Sequence, residues 1–209
     1  MKLLQSWRLF WALALAISVA ICLGLPATDF HTAAGSEGIV LRSVRCALPF
    51  FLIAFTASSL ATLWPGSFTR WLLANRRYFG LAFAFGMAWH LSFVAYYLIR
   101  FRIHFNSRAL TADFVGLAFL LALTLTSFRP ISRHLTSTNW RRLHKLGVYM
   151  IWLLAVYIYQ GGARSERDFL HFGALAVLIA CWGLRVAAWT KKRLARRHAA
   201  AQLQPRSVY

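Results

Sequence analysis

Seven histidines are spread through the 209 residues, and two of them stand where an ionisable side chain is expensive. His90 lies near the middle of a long apolar run, and His144 lies in the first turns of another, just inside Arg141 and Arg142. Ionisable groups in hydrocarbon are functional candidates by default, because solvation there is poor. If both runs are helices pointing the same way through a membrane, an imidazole from each can grip a flat cofactor standing between them. Two neutral imidazoles on opposite faces of an iron porphyrin are the usual ligation of an electron-transferring haem b. Gly86 and Gly147 each stand one turn from a histidine on its own helical face, leaving space beside the ligand for a macrocycle about 15 Å across. Phe83, Tyr97, Ile151 and Trp152 adjoin those faces. A plainer reading stands beside each feature: small residues on membrane helices serve packing, aromatic stripes form core or interface belts, and a lone histidine bonds to a carbonyl.

The elements that must position these residues are legible in composition. The chain is 59% hydrophobic and only 14% charged, yet carries a net charge of +19. A soluble domain holds about 25% charged residues, and a nucleic-acid binder this basic would not be this apolar. An all-α membrane domain fits both figures, with no role for nucleic acid. Six apolar runs, approximately 9–25, 46–64, 78–99, 110–128, 140–159 and 169–189, predict a six-helix transmembrane bundle in one domain, followed by a basic tail at 190–209. Pro26, Pro65-Gly66-Ser67, Arg129-Pro130 and Gly161-Gly162 punctuate the connections. The first run is long for a signal peptide and lacks an A-x-A site after it, so an uncleaved helix is expected.

Basic residues sort by loop. With the N-terminus inside, the cytoplasmic segments take Arg76 and Arg77, Arg129 to Lys145, and the Lys191 to Arg197 cluster, while all five acids fall outside. Cations accumulate on the cytoplasmic side of short loops, so both termini are expected in the cytoplasm, with the third and fifth helices parallel. The basic tail suits a flank lying on anionic membrane lipid. Arg185 lies within the sixth run, near enough to its inner end to snorkel. His90 stands deeper than His144 by about 9–15 Å of helical rise.

Cys22, Cys46 and Cys181 have no CxxC spacing and read as packing residues. His104 and His171 are candidates for a second, outer metal site; His31, His134 and His198 fall in loops or the tail. Transporters are disfavoured because the runs lack interior carboxylates, and hydrolases because H-E-x-x-H and G-x-S-x-G are missing.

Arg76-Arg77-Tyr78-Phe79-Gly80-Leu81 followed by Trp89-His90-Leu91, with Leu125-Thr126-Ser127 followed by Trp140-Arg141-Arg142-Leu143-His144, resembles the ferric reductase-like transmembrane domain. The nearest likeness is to the haem-binding membrane subunit of the bacterial periplasmic methionine sulfoxide reductase system. The resemblance spans roughly Arg70 to Trp189. It implies axial haem ligation by His90 and His144. Arg76, Arg77, Arg141 and Arg142 lie on the expected cytoplasmic side, where they can pair with haem propionates; the plainer reading of each is a positive-inside topology marker. Tyr157 stands where those subunits carry a further histidine, which leaves His104 without its natural partner and implies one haem b. It further implies a plasma-membrane electron-transfer protein that receives electrons from a separate flavin reductase, by way of FMN, or from membrane quinol, and passes them to a periplasmic or extracellular acceptor. The alternative is a haem-free membrane scaffold or transporter subunit with the same layout.

Overall fold

The computed structural model describes residues 6–102, 107–165 and 169–202. Among them the fold is all-helical, with seven helices and no strand: α1 (Trp7–Cys22), α2 (Ala33–Leu63), α3 (Ser67–Phe101), α4 (Ser107–Leu125), α5 (Arg129–Ser132), α6 (Ser137–Ser165) and α7 (Phe169–Gln202). Each apolar run falls within or across one of the six long helices. The helices extend well beyond the runs, because polar residues add turns wherever a cap and a packing partner are present. Thr32 caps α2 by accepting the Gly35 N–H at 3.2 Å, so α2 begins well before Cys46. Thr69 holds the start of α3, accepting the Gly66 N–H at 3.0 Å and donating to the Trp64 carbonyl at 2.8 Å. The short α5 carries Pro130 in its first turn, where no N–H is missed.

Among the described residues, three helices rather than the expected six are both long and apolar enough to cross a membrane on their own terms: α2, α3 and α7 through Ala200. The other three long helices do not meet that measure among the described residues. The helix α1 is a shorter apolar segment, and the described side chains of α4 begin at Asp113. In α6 the apolar stretch is preceded by Arg141, Arg142 and Lys145 in the same helix. The outward surface is apolar in the manner of a membrane protein: Trp11 is 65% exposed, Leu15 66%, Tyr157 60% and Phe172 51%. Soluble monomers rarely expose so many large apolar side chains in contiguous patches.

The helices form an incomplete ring. The α2–α3 hairpin is the most intimate pair, α7 packs on α2 and α6, α4 packs on α6, and the ring closes only weakly between α3 and α4. The helix α1 lies outside, mainly against α3. Its first turn is pinned by Asn75, a buried side chain that accepts the Ser6 N–H at 3.2 Å and donates to the Trp71 carbonyl at 2.9 Å. Ala47, Phe51, Phe55, Phe83, Leu120, Ile151 and Cys181 meet in the middle of the ring, drawing on all five of its helices. The three cysteines are free thiols; Cys181 packs in the core and Cys46 is half-buried, whereas Cys22, expected to be a packing residue, is exposed.

Gly86 makes the α2–α3 approach possible. A β-carbon there would lie 2.7 Å from Ala47 Cβ and 3.2 Å from Ala47 Cα, inside van der Waals contact with backbone. Gly86→Val is therefore expected to push α3 off α2 and to cost about 1–3 kcal/mol or more, seen as a lowered unfolding midpoint in detergent. Gly80, whose added β-carbon would meet nothing within 4 Å, serves as the control: Gly80→Ala is expected to leave that midpoint unchanged.

Candidate functional site

A cavity of about 650 Å³ lies between α3 and α6 at the Arg-rich end of the ring. Its deeper walls are apolar, formed by Phe51, Phe83, Leu120 and Ile151, and its outer walls are cationic. Arg76, Arg77, Arg129, Arg141, Lys145 and Arg185 all line it, and no carboxylate does among the described residues. Six cations with no counter-ion repel one another in a partly desolvated space, so the site favours an anion strongly. Gly80 forms an open stretch of the α3 wall, where a side chain would intrude.

His144 is the imidazole in this cavity. Its ring stacks on Trp140 at 4.1 Å, and Trp140 Nε1 donates to the Thr126 carbonyl at 3.0 Å. Thr126 Oγ1 donates to the Ala122 carbonyl at 2.6 Å, which leaves the hydroxyl to accept from His144 Nε2 at 3.1 Å. The resulting assignment puts the proton on Nε2, with Nδ1 as the basic nitrogen. Thr126 thus acts as the holder of His144, and it belongs to the Leu125-Thr126-Ser127 stretch that marked the sequence.

His90 does not line the cavity. It stands about seven residues beyond Phe83, roughly 10 Å along α3, and faces α2. Its Nδ1 lies 3.1 Å from the Val40 carbonyl and 3.2 Å from Ser43 Oγ, and Ser43 Oγ itself donates to Val40 O at 2.7 Å. Since a carbonyl only accepts, the proton sits on Nδ1, and both hydrogen-bond partners of the ring fall on that nitrogen. Nε2 is left basic and without a hydrogen bond, the tautomer a metal-ligating histidine takes when a carbonyl orients it.

The structure therefore does not bring His90 and His144 onto one cavity. The glycine reasoning also changes. Gly86 and Gly147 clear space for neighbouring helices, Gly86 against Ala47 and Gly147 with Leu123 3.0 Å from an added β-carbon, and neither opens the cavity. Gly80 does. Of the aromatic and aliphatic candidates, Phe83 and Ile151 line the site, while Trp152 turns to α7, donating to the Leu178 carbonyl at 3.0 Å, and Tyr97 packs on Phe101. Arg76, Arg77 and Arg141 reach the cavity; Arg142 does not line it. Sequence reasoning missed Arg129, Lys145 and Thr126 as wall residues and saw Arg185 only as a snorkelling cation.

His104 lies outside the described residues. His171 is buried beside Tyr159, with ring centroids 5.8 Å apart, and Tyr157 points outward. No cluster of three or more His, Cys, Asp or Glu that could hold a metal ion occurs among the described residues.

A haem asks for an imidazole, a flat apolar slot and cations for two carboxylates. The cavity with His144 offers all three, so these residues fit the group on one axial side; the other axial side is not built from α3 within the cavity. No protein-family model, curated protein or solved structure matches the chain.

Proposed function

We propose that the protein is a b-type haem-binding membrane electron-transfer protein of the ferric reductase-like kind, in which His144 would hold one haem in the cavity and His90, which stands outside that cavity, would be its second ligand only on a shift of α3 toward α6. The observation that carries the reading is the acid-free cationic cavity between α3 and α6 with His144 in its wall. Haem b supplies one-electron transfer when bound. His144, held at rest by Thr126, would be the imidazole that holds the haem iron. His90 enters on the resemblance of its sequence and on its open Nε2, with Val40 O holding the ring in the ligating tautomer. Arg76, Arg141 and Lys145 neutralise two carboxylates through charge-assisted hydrogen bonds. Phe51, Phe83 and Ile151 exclude water from the slot.

The bundle is proposed to span the plasma membrane six times, with both termini cytoplasmic. The distribution of cations supports that orientation, and the exposed apolar faces of α1 and α6, including Leu15 and Leu153, support embedding of helices that are short or charged at one end. Electrons come from a separate cytoplasmic flavin reductase, with FMN as its carrier, or from membrane quinol, and leave to an acceptor on the outer side.

A Soret band that shifts when dithionite is added to the purified protein tests the proposal; well-folded protein from haem-replete cells without that band contradicts it. The bonds of His90 to Val40 and Ser43 favour a second reading, a haem-free scaffold in which that histidine joins α3 to α2. The same spectrum separates the two.

A further inference from the structure

A second opening, of about 300 Å³, lies where the ring closes weakly, between α3 and α4 and beside α1. Phe10, Phe85, Ala84, Ala88, Leu117 and Leu121 line it, and Thr124 is its one polar side chain apart from the Trp7 indole at its mouth. Leu81, Leu120 and Thr124 form walls of both this groove and the cationic cavity, so the two are neighbours through a single layer of side chains.

At that boundary stand two of the cations. Arg77 lines the cavity, yet its guanidinium lies 5.8 Å from the rings of both Trp7 and Tyr78, and its buried Nε has no hydrogen-bond partner. Trp7 lines the groove and stacks on Phe128 at 6.0 Å, and Arg129 follows Phe128 directly in the chain and lines the cavity. The apolar groove is thus one layer of side chains away from two arginines of the cavity wall, of which Arg77 has an unsatisfied donor, and no acid lines either opening among the described residues.

We infer that this groove binds one anionic diacyl phospholipid, its phosphate held by Arg77 and Arg129 and an acyl chain lying between α3 and α4. Charge complementarity selects the occupant. A zwitterionic lipid brings its own cation against the arginines, and free phosphate leaves the apolar groove unfilled, whereas an anionic lipid satisfies both halves. The chain supplies the packing that α3 and α4 do not provide for each other. The site shares Arg77 and Arg129 with the wall of the cationic cavity but makes no use of His144, Arg76, Arg141 or Lys145, so lipid retention can be read whether or not haem is bound.

Native mass spectrometry in detergent, with phosphatidylglycerol or phosphatidylcholine of matched chains, tests the inference. One phosphatidylglycerol is expected to stay bound, at least about tenfold more tightly than phosphatidylcholine. Arg77→Gln with Arg129→Gln is expected to weaken retention roughly thirtyfold, on the usual worth of two cations near an anionic headgroup. Ala84→Leu with Ala88→Leu, which fills the groove and keeps both cations, is expected to lower it comparably and decides the matter if the arginine variant does not fold. Arg193→Gln, on the exposed end of α7 over Trp189, is expected to change nothing. Equal retention of the two lipids, retention unaffected by filling the groove, or displacement by inorganic phosphate alone overturns the proposal.

Discussion

His144→Ala is expected to remove haem from the protein while leaving the bundle assembled. The side chain lines a cavity and makes one hydrogen bond, to Thr126, so its loss leaves Trp140 bonded to the Thr126 carbonyl and α4 packed on α6. Loss of an axial ligand, in contrast, removes the only imidazole that the cavity presents among the described residues. The haem-to-protein ratio is expected to fall more than tenfold, with the elution profile in detergent unchanged. His90→Ala is the sharper of the pair. Under the proposed ligation it also abolishes the low-spin spectrum; if His90 only joins α3 to α2, the variant keeps its haem and loses about 1 kcal/mol from its bonds to Val40 and Ser43. Retention of a wild-type spectrum in His90→Ala removes that residue from the ligand set.

Arg185→Ala is expected to give the largest loss of stability among single substitutions at the cavity. From α7 the guanidinium reaches two other helices: Nη1 donates to the Phe55 carbonyl of α2 at 2.6 Å, and Nη2 donates to Tyr149 Oη of α6 at 3.2 Å. The same group lies over both rings, 4.4 Å from Phe55 and 4.8 Å from Tyr149. Phe55 in turn stacks on Trp152, and Trp152 on Trp182, so one cation anchors an aromatic chain that joins α2, α6 and α7. Charged hydrogen bonds and desolvated cation–π contacts are each worth about 1.5–3 and up to about 2 kcal/mol. Removing a cation from an acid-free cluster returns part of that, leaving a net loss of about 2 kcal/mol. The expected fall in unfolding midpoint is about 4–8 °C by the usual scaling for a chain of this size. Arg193→Ala, a cation over Trp189 on the exposed end of α7, should leave the midpoint where it is; equal effects of the two substitutions would show that Arg185 is a snorkelling side chain and nothing more.

How far the site could be read from sequence depends on the helix ends. Apolar runs located all six long helices, because burial and lipid exposure both demand apolar residues at helical length. Runs say nothing about polar turns added beyond them. The segment before Cys46 reads as a loop with Glu37, Arg42 and Arg45, yet it is helix, capped by Thr32 and packed on α3, and it is this extension that presents Val40 and Ser43 to His90. The pairing of two parallel-helix histidines was therefore drawn without the residues that occupy one of them. Gly86 illustrates the same limit, since a glycine one turn from a histidine can clear space for a cofactor or for a neighbouring helix, and only Ala47 across the interface decides which. The cationic wall was half visible: Arg76, Arg77 and Arg141 stood out as charge near a histidine, while Arg129 and Lys145 join them through the turn at α5 and the placement of α6. Arg185 carried its own signal as a cation inside an apolar run.

The measurement that bears most directly on the central claim is the haem-to-protein ratio, by pyridine haemochrome, of monodisperse protein purified from haem-replete cells. One haem per chain is expected, held in the cavity that His144 lines. A ratio near zero contradicts haem binding altogether, and a ratio near two contradicts the single site and returns His104 and His171 to consideration as ligands.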